Sequence, residues 1–152
     1  MDLQETLNII LVEDDDGHAM LVEKNLRRAG LTNAFLRLKD GQEALDYFFA
    51  DPPKEDVLLR NAVVLLDVNM PRVDGIEVLR RLKSSPLTAA LPVIMLTTTD
   101  NPREIERCYE FGCNVYVTKP VEYDAFIEAV RRLGFFLQVV KLPPKSGINL
   151  TS

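Results

Sequence analysis

This 152-residue chain has no excess of basic residues, no long apolar run, no CxxC cysteine pair and only one histidine, and each shortage removes a class of function. Eighteen lysines and arginines stand against 23 aspartates and glutamates, and the net charge of -5 argues against a general nucleic-acid surface. No apolar stretch approaches the ~20 residues of a membrane span, and Met1 to Asn8 carries acids where a targeting signal would carry bases. A cytoplasmic protein that engages neither membrane nor nucleic acid is expected. Cys108 and Cys113 have no histidine close by in sequence and read as reduced, buried thiols rather than a metal site or a disulfide. Internal repeats and low-complexity segments are missing too. With 47% hydrophobic residues, the chain fits one domain with a buried core and leaves no room for a separate output domain.

What is present is organised around Val63-Val64-Leu65-Leu66-Asp67. Four branched apolar residues in a row predict a strand covered on both faces, the habit of a central strand in a parallel sheet. Pro71 cannot extend a ladder, which places Asp67 to Asn69 at the strand's carboxyl edge, where open α/β sheets bind ligands. A second run, Asn8 to Val12, also ends on acids: Glu13, Asp14, Asp15 and Asp16. Met20, Leu21, Leu26 and Ala29 then recur at helical spacing until Gly30. Asn33 to Leu38 alternates as a strand, and Asp40-Gly41 turns into a helix with Ala44, Leu45, Phe48 and Phe49 as its apolar face. Asp51 to Asp56 is a polar loop. After Asp74-Gly75 a helix carries Ile76, Leu79 and Leu82 in one stripe, and Leu91 to Leu96 is a fourth strand. Pro102 opens a helix that Gly112 closes, Asn114 to Thr118 is the fifth strand, and Asp124 to Leu133 is the last helix. Five strands alternating with five helices predict a parallel sheet with right-handed crossovers. From Leu133 to Leu142 the apolar residues leave almost no polar face. This stretch either folds back over its own domain or forms a subunit interface; the interface is favoured, because exposed aromatic patches are uncommon on monomers. Lys141 to Ser152, with Pro143-Pro144, reads as a frayed tail.

Every strand end that can face one crevice offers a polar group: Glu13 and Asp14, Asp67, Thr97 and Lys119. Singly, each is explained as a helix cap, a turn acid or a solvated charge. Together, three carboxylates in a small site repel one another unless a cation compensates. Oxygen donors of this kind suit Mg2+, which is usually held by one or two carboxylates plus phosphate. Lys119 would add positive charge and Thr97 a hydroxyl, and such groups can neutralise a phosphoryl group moving onto a carboxylate oxygen. Asp67 is the best nucleophile because it ends the most buried strand.

Val12-Glu13-Asp14-Asp15, Leu66 to Gly75, Leu96-Thr97-Thr98-Thr99 and Tyr116-Val117-Thr118-Lys119-Pro120 resemble, in order and spacing, the receiver domain of two-component response regulators. The resemblance implies a flavodoxin-like (βα)5 fold, a three-layer sandwich whose parallel five-stranded sheet has the order 2-1-3-4-5. It implies a receiver over residues 7–134, followed by an apolar C-terminal extension over 135–152. By the same resemblance Asp67 is the phosphorylated aspartate, Glu13 and Asp14 hold Mg2+ with it, and the Asn69 backbone carbonyl completes the metal shell. Thr97 matches the hydroxyl that moves towards the phosphate, Tyr116 the aromatic that then turns inward, and Lys119 the phosphate-contacting lysine. Thr98 is larger than the alanine often found there and leaves the phosphoryl lifetime open. A narrower similarity joins the loop Asp51 to Arg60, Leu96 to Thr99, Cys113 to Tyr116 and the aromatic extension ending in Leu142-Pro143 to the single-domain regulators of bacterial and cyanobacterial phytochrome histidine kinases. Those are commonly homodimers through the last helix and its extension.

The implied function is therefore to accept a phosphoryl group from a histidine kinase, with self-phosphorylation and slow autodephosphorylation the only catalysis. His18, expected to face solvent, is no phosphodonor. A haloacid-dehalogenase type hydrolase would need a carboxylate where Asn69 stands, and Glu13 to Asp16 would repel the phosphate of a flavin. The alternative that survives is a phosphate-independent binding module on the same fold.

Overall fold

The computed structural model describes residues 7–31, 34–51 and 61–140. Asn33, the loop from Pro52 to Arg60 and the tail from Lys141 to Ser152, on which several expectations fall, lie outside the described residues.

β3 (Ala62–Leu66) is buried at all five positions, as its uninterrupted Val and Leu predict. It pairs in parallel with β1 (Asn8–Val12) on one side and β4 (Val93–Thr97) on the other. β2 (Phe35–Leu38) extends the sheet beyond β1 and β5 (Val115–Thr118) beyond β4, so the order is 2-1-3-4-5. α1 (Asp16–Arg28), α2 (Gly41–Phe48), α3 (Gly75–Ser84), α4 (Pro102–Glu110) and α5 (Tyr123–Val139) fill the crossovers.

Strand alternation sends successive residues to opposite faces and so builds two cores. Ile10, Val12, Val64 and Leu66 join Ala44, Leu79 and Leu82 on the α2 and α3 face. Ile9, Leu11, Val63 and Leu65 join Val22, Leu26, Phe126 and Leu133 on the α1 and α5 face. The expected three-layer sandwich is the result. Each helix starts on a side-chain cap: Asp15, Asp40, Asp74, Asn101 and Glu122 each accept from a backbone N–H in the first turn. Three of these acids, Asp15, Asp74 and Glu122, stand in the loops that carry Glu13, Asp67 and Lys119.

Some boundaries move. The fourth strand begins at Val93 rather than Leu91, since Pro92 has no N–H to give a ladder. The fifth begins at Val115 instead of Asn114, and the second at Phe35. Met20 is 65% exposed, and Ala19 and Val22 occupy the buried stripe assigned to it. The last helix starts one residue earlier than expected and continues six residues past Leu133, to Val139. Gly134 lies inside it for packing, because a Cβ there would come within 2.7 Å of the Ala29 Cβ. Both cysteines are free and buried, as expected.

Candidate functional site

The carboxyl ends of β1 and β3 lie side by side, with Val12 paired to Leu66 and the Asp67 N–H donating to the Val12 carbonyl at 3.1 Å. Parallel pairing in this register brings the next residues, Glu13 and Asp67, to the same edge. Carboxylate oxygens of Glu13, Asp14 and Asp67 all lie within 4.8 Å of one another. Glu13 and Asp67 are buried and Asp14 is exposed.

Lys119, from the end of β5, reaches across to this group. Its Nζ lies 2.7 Å from Glu13 Oε1 and 3.3 Å from Asp67 Oδ2, with its side chain only 1% exposed. Burial pushes the Glu13 carboxyl up to about 7; the Lys119 ammonium opposes that rise and the Asp67 carboxylate adds to it. One ammonium thus only partly compensates the acids around it. The donor set fits a hard divalent cation: three carboxylate oxygens within 4.8 Å of one another, with a single ammonium beside them.

Neighbouring residues hold the group in place. The Asp15 N–H donates to Glu13 Oε2 at 3.1 Å, and Asp15 caps α1 through the His18 N–H. That second bond holds the Asp15 carboxyl below its ordinary value. Gly75 packs against the Asp67 backbone so closely that a Cβ would sit 1.9 Å from its carbonyl oxygen, which excludes any side chain at the start of α3. Arg72, in the turn between them, has φ of 66° and ion-pairs with Asp40.

Of the residues expected at the site, Glu13, Asp14, Asp67 and Lys119 come together. Asn69 gives its N–H to Asp67 Oδ1 at 3.3 Å, while its side-chain amide donates to Thr99 Oγ1 at 2.8 Å. Thr97 is fully buried at the end of β4, and its hydroxyl accepts from the Thr99 N–H at 3.5 Å. The half-buried Tyr116 donates its hydroxyl to the Thr99 carbonyl at 2.6 Å. Thr97, Tyr116 and Asn69 therefore meet at Thr99, to which sequence reasoning gave no role beyond its place in the Leu96 to Thr99 motif.

Two further residues went unseen. Arg37 on β2 donates from Nε and Nη2 to the Glu13 carbonyl at 2.9 and 2.7 Å and from Nη1 to Asp16 at 2.8 Å, clamping the turn that carries the acidic pair. His18, expected to face solvent, is instead half-buried beside Lys119, with Nδ1 at 3.3 Å from Nζ. Nothing local marked either residue, since Arg37 meets Glu13 across 24 positions and His18 meets Lys119 across 101.

Comparison with known proteins agrees with this geometry. The model of the response regulator receiver domain matches residues 9–131. Response regulator Rcp1 of Synechocystis is 32% identical over 136 residues, covering 89% of this chain and 92% of Rcp1. The Mn2+-bound form of Rcp1 superposes with a TM-score of 0.78, at 30% identity over 90% of this chain and 99% of that one. A receiver domain from Rhodospirillum rubrum, 48% identical, covers 93% of this chain and all of its own with a TM-score of 0.85. The phosphorylated cyanobacterial phytochrome response regulator RcpA reaches 0.80 at 30% identity, over 91% of this chain and 99% of that one. With the fold, the strand-end acids and the family match in agreement, this chain belongs to the response regulator receiver domain family.

Proposed function

We propose that this protein is a phosphorylation switch in which a histidine kinase donates a phosphoryl group to Asp67 in a Mg2+-dependent phosphorelay. The observation that carries this reading is the Lys119 ammonium held between Glu13 and Asp67, at the rim of three converging carboxylates. Glu13, Asp14, Asp67 and the Asn69 backbone carbonyl would hold the metal. Bound there, Mg2+ supplies the charge neutralisation that a transferring phosphoryl group needs. An Asp67 carboxylate oxygen forms the new O–P bond as the N–P bond of the donor phosphohistidine breaks, and the imidazole nitrogen keeps the electron pair. Lys119 gives up its bond to Asp67 Oδ2 and turns a proton towards the phosphoryl oxygens. Thr97 offers its hydroxyl, and Tyr116 exchanges its bond to Thr99 for an inward position, so the acyl phosphate biases an equilibrium across α4 and β5.

The likeness to RcpA supports a phytochrome-type kinase as donor, and a cytoplasmic setting fits that role. A homodimer through α5 and the extension over 135–152, following a receiver at 7–134, is supported by Phe135, Phe136 and Val139, which are 52%, 45% and 71% exposed on one stretch of helix. Elution in gel filtration should move from dimer to monomer when Phe135 and Phe136 are changed to serine; unchanged monomeric elution of the parent removes the dimer.

Incubation with Mg2+ and acetyl phosphate should add the mass of one phosphoryl group to the wild type and none to Asp67→Asn. No gain in the wild type, under conditions that label a control receiver, would leave the phosphate-independent binding module as the better reading.

A further inference from the structure

His18 is the single histidine of the chain, and the crevice gives it a partner that its place in α1 did not announce. The Lys119 ammonium has three protons and no lone pair, so every polar neighbour must be an acceptor. Three acceptors surround it: Glu13 Oε1 at 2.7 Å, Asp67 Oδ2 at 3.3 Å and His18 Nδ1 at 3.3 Å. Nδ1 can accept only in the neutral imidazole with its proton on Nε2. The ring is held by Phe126 of α5, with centroids 5.4 Å apart at 49°, and the backbone N–H of His18 is fixed on Asp15 Oδ1 at 2.9 Å. Two helices therefore aim one acceptor at an ammonium with 1% exposure, where water could not easily replace it.

We infer that His18 is a positioning residue for phosphoryl transfer: its Nδ1 accepts a hydrogen bond from Lys119 and so keeps the ammonium aimed into the crevice while Asp67 exchanges its own bond for the incoming group. This rests on Asp67 being the phosphoryl acceptor. When the Oδ2 contact is released, Glu13 and His18 are the two anchors that keep Nζ in place. Without the imidazole, one buried N–H loses its acceptor and the lysine swings.

The test separates the ring from the acceptor. His18→Phe keeps an aromatic against Phe126 and removes Nδ1, whereas His18→Asn restores an acceptor near the Nδ1 position without the ring. The rate at which Mg2+ and acetyl phosphate label Asp67, read by intact mass, should fall about fivefold in His18→Phe, the worth of one hydrogen bond. His18→Asn should stay within about twofold of the wild type, and Mg2+ affinity should not change in either. Equal labelling by His18→Phe, or an equal loss in His18→Asn, overturns the inference. So does a parallel fall in Mg2+ affinity, which would place His18 with the acids instead. In unphosphorylated protein without a histidine tag, the lone imidazole should give one hydrogen-bonded Nδ1 nitrogen resonance that moves to its free position in Lys119→Met. An Nδ1 resonance unmoved by that change also overturns the inference. A wild type that takes no label sinks the proposed function and the role of His18 with it, while a labelled wild type with unaffected variants sinks the role of His18 alone.

Discussion

β3 and β5 belong to one sheet, two places apart, and are packed very differently. All five residues of β3 are buried, whereas three of the four in β5 are half-buried and the last is exposed. The helices beside them differ in the same way: α3 buries five of its ten residues, while α4 buries only Cys108 among nine. α4 also carries the one buried side-chain oxygen found without a hydrogen-bond partner among the described residues, Oε1 of Glu104. Asp67, Glu13 and Asp14 thus stand on a dense floor, and Thr97, Lys119 and Tyr116 stand on or beside a thinner wall. A dense floor fixes the spacing that carboxylates must keep around a cation. A thin wall can take a second arrangement at small cost, which a switch requires.

The largest effect should come where wall meets floor. Lys119→Met should slow labelling of Asp67 by Mg2+ and acetyl phosphate by about 10²-fold or more, the usual cost of losing a charge-stabilising donor. A loss of tenfold or less would assign the stabilisation to other groups. The packing contrast is sharpened by paired truncations followed by urea unfolding. Leu65→Ala in β3 should cost about 2 to 5 kcal/mol, and Val117→Ala in β5 under about 1 kcal/mol. Equal costs would erase the distinction between floor and wall. Arg37→Ala should leave the fold intact and weaken Mg2+ binding about tenfold, because its two bonds to the Glu13 carbonyl orient a ligand-bearing turn. Unchanged affinity would show that the turn holds itself.

The smallest effect lies at alkaline pH and concerns the wall alone. Burial pushes the Cys108 and Cys113 thiols up from 9.0 to about 11, and pushes Tyr116 up from 10.0 to about 12. Native structure therefore favours the neutral forms. Their contribution is complete below the unfolded values and is lost as pH rises through the folded ones. Thermal midpoints should decline between about pH 9 and 12, and a Cys108→Ala, Cys113→Ala double variant should decline less below pH 11. Identical profiles would mean that the thiols are not desolvated as the packing indicates.

How much of this could be read beforehand divides along physical lines. Asp67, Glu13, Asp14, Thr97 and Lys119 each end a strand, so period and run length placed them at one edge, and the receiver resemblance supplied their roles. The parallel sheet followed from alternation, and its strand order from that resemblance alone. Residues that act through distant partners were hidden: His18 meets Lys119 across 101 positions, Arg37 meets Glu13 across 24, and Thr99 meets Asn69 across 30. Met20 failed differently. Helical spacing located the apolar face of α1, but its phase is set by contact with α5, and Ala19 and Val22 face inward instead. Gly134, which follows the expected end of the last helix at Leu133, lies within α5, where the lack of a Cβ lets α1 and α5 approach.

The most direct measurement is chemical. After incubation with Mg2+ and acetyl phosphate, borohydride reduction converts an aspartyl phosphate into homoserine, which peptide mapping then locates. Homoserine at position 67 and at no other aspartate is the expected result; homoserine at Asp14 or elsewhere, or none while a control receiver is converted, would contradict the assignment of Asp67 as the phosphoryl acceptor.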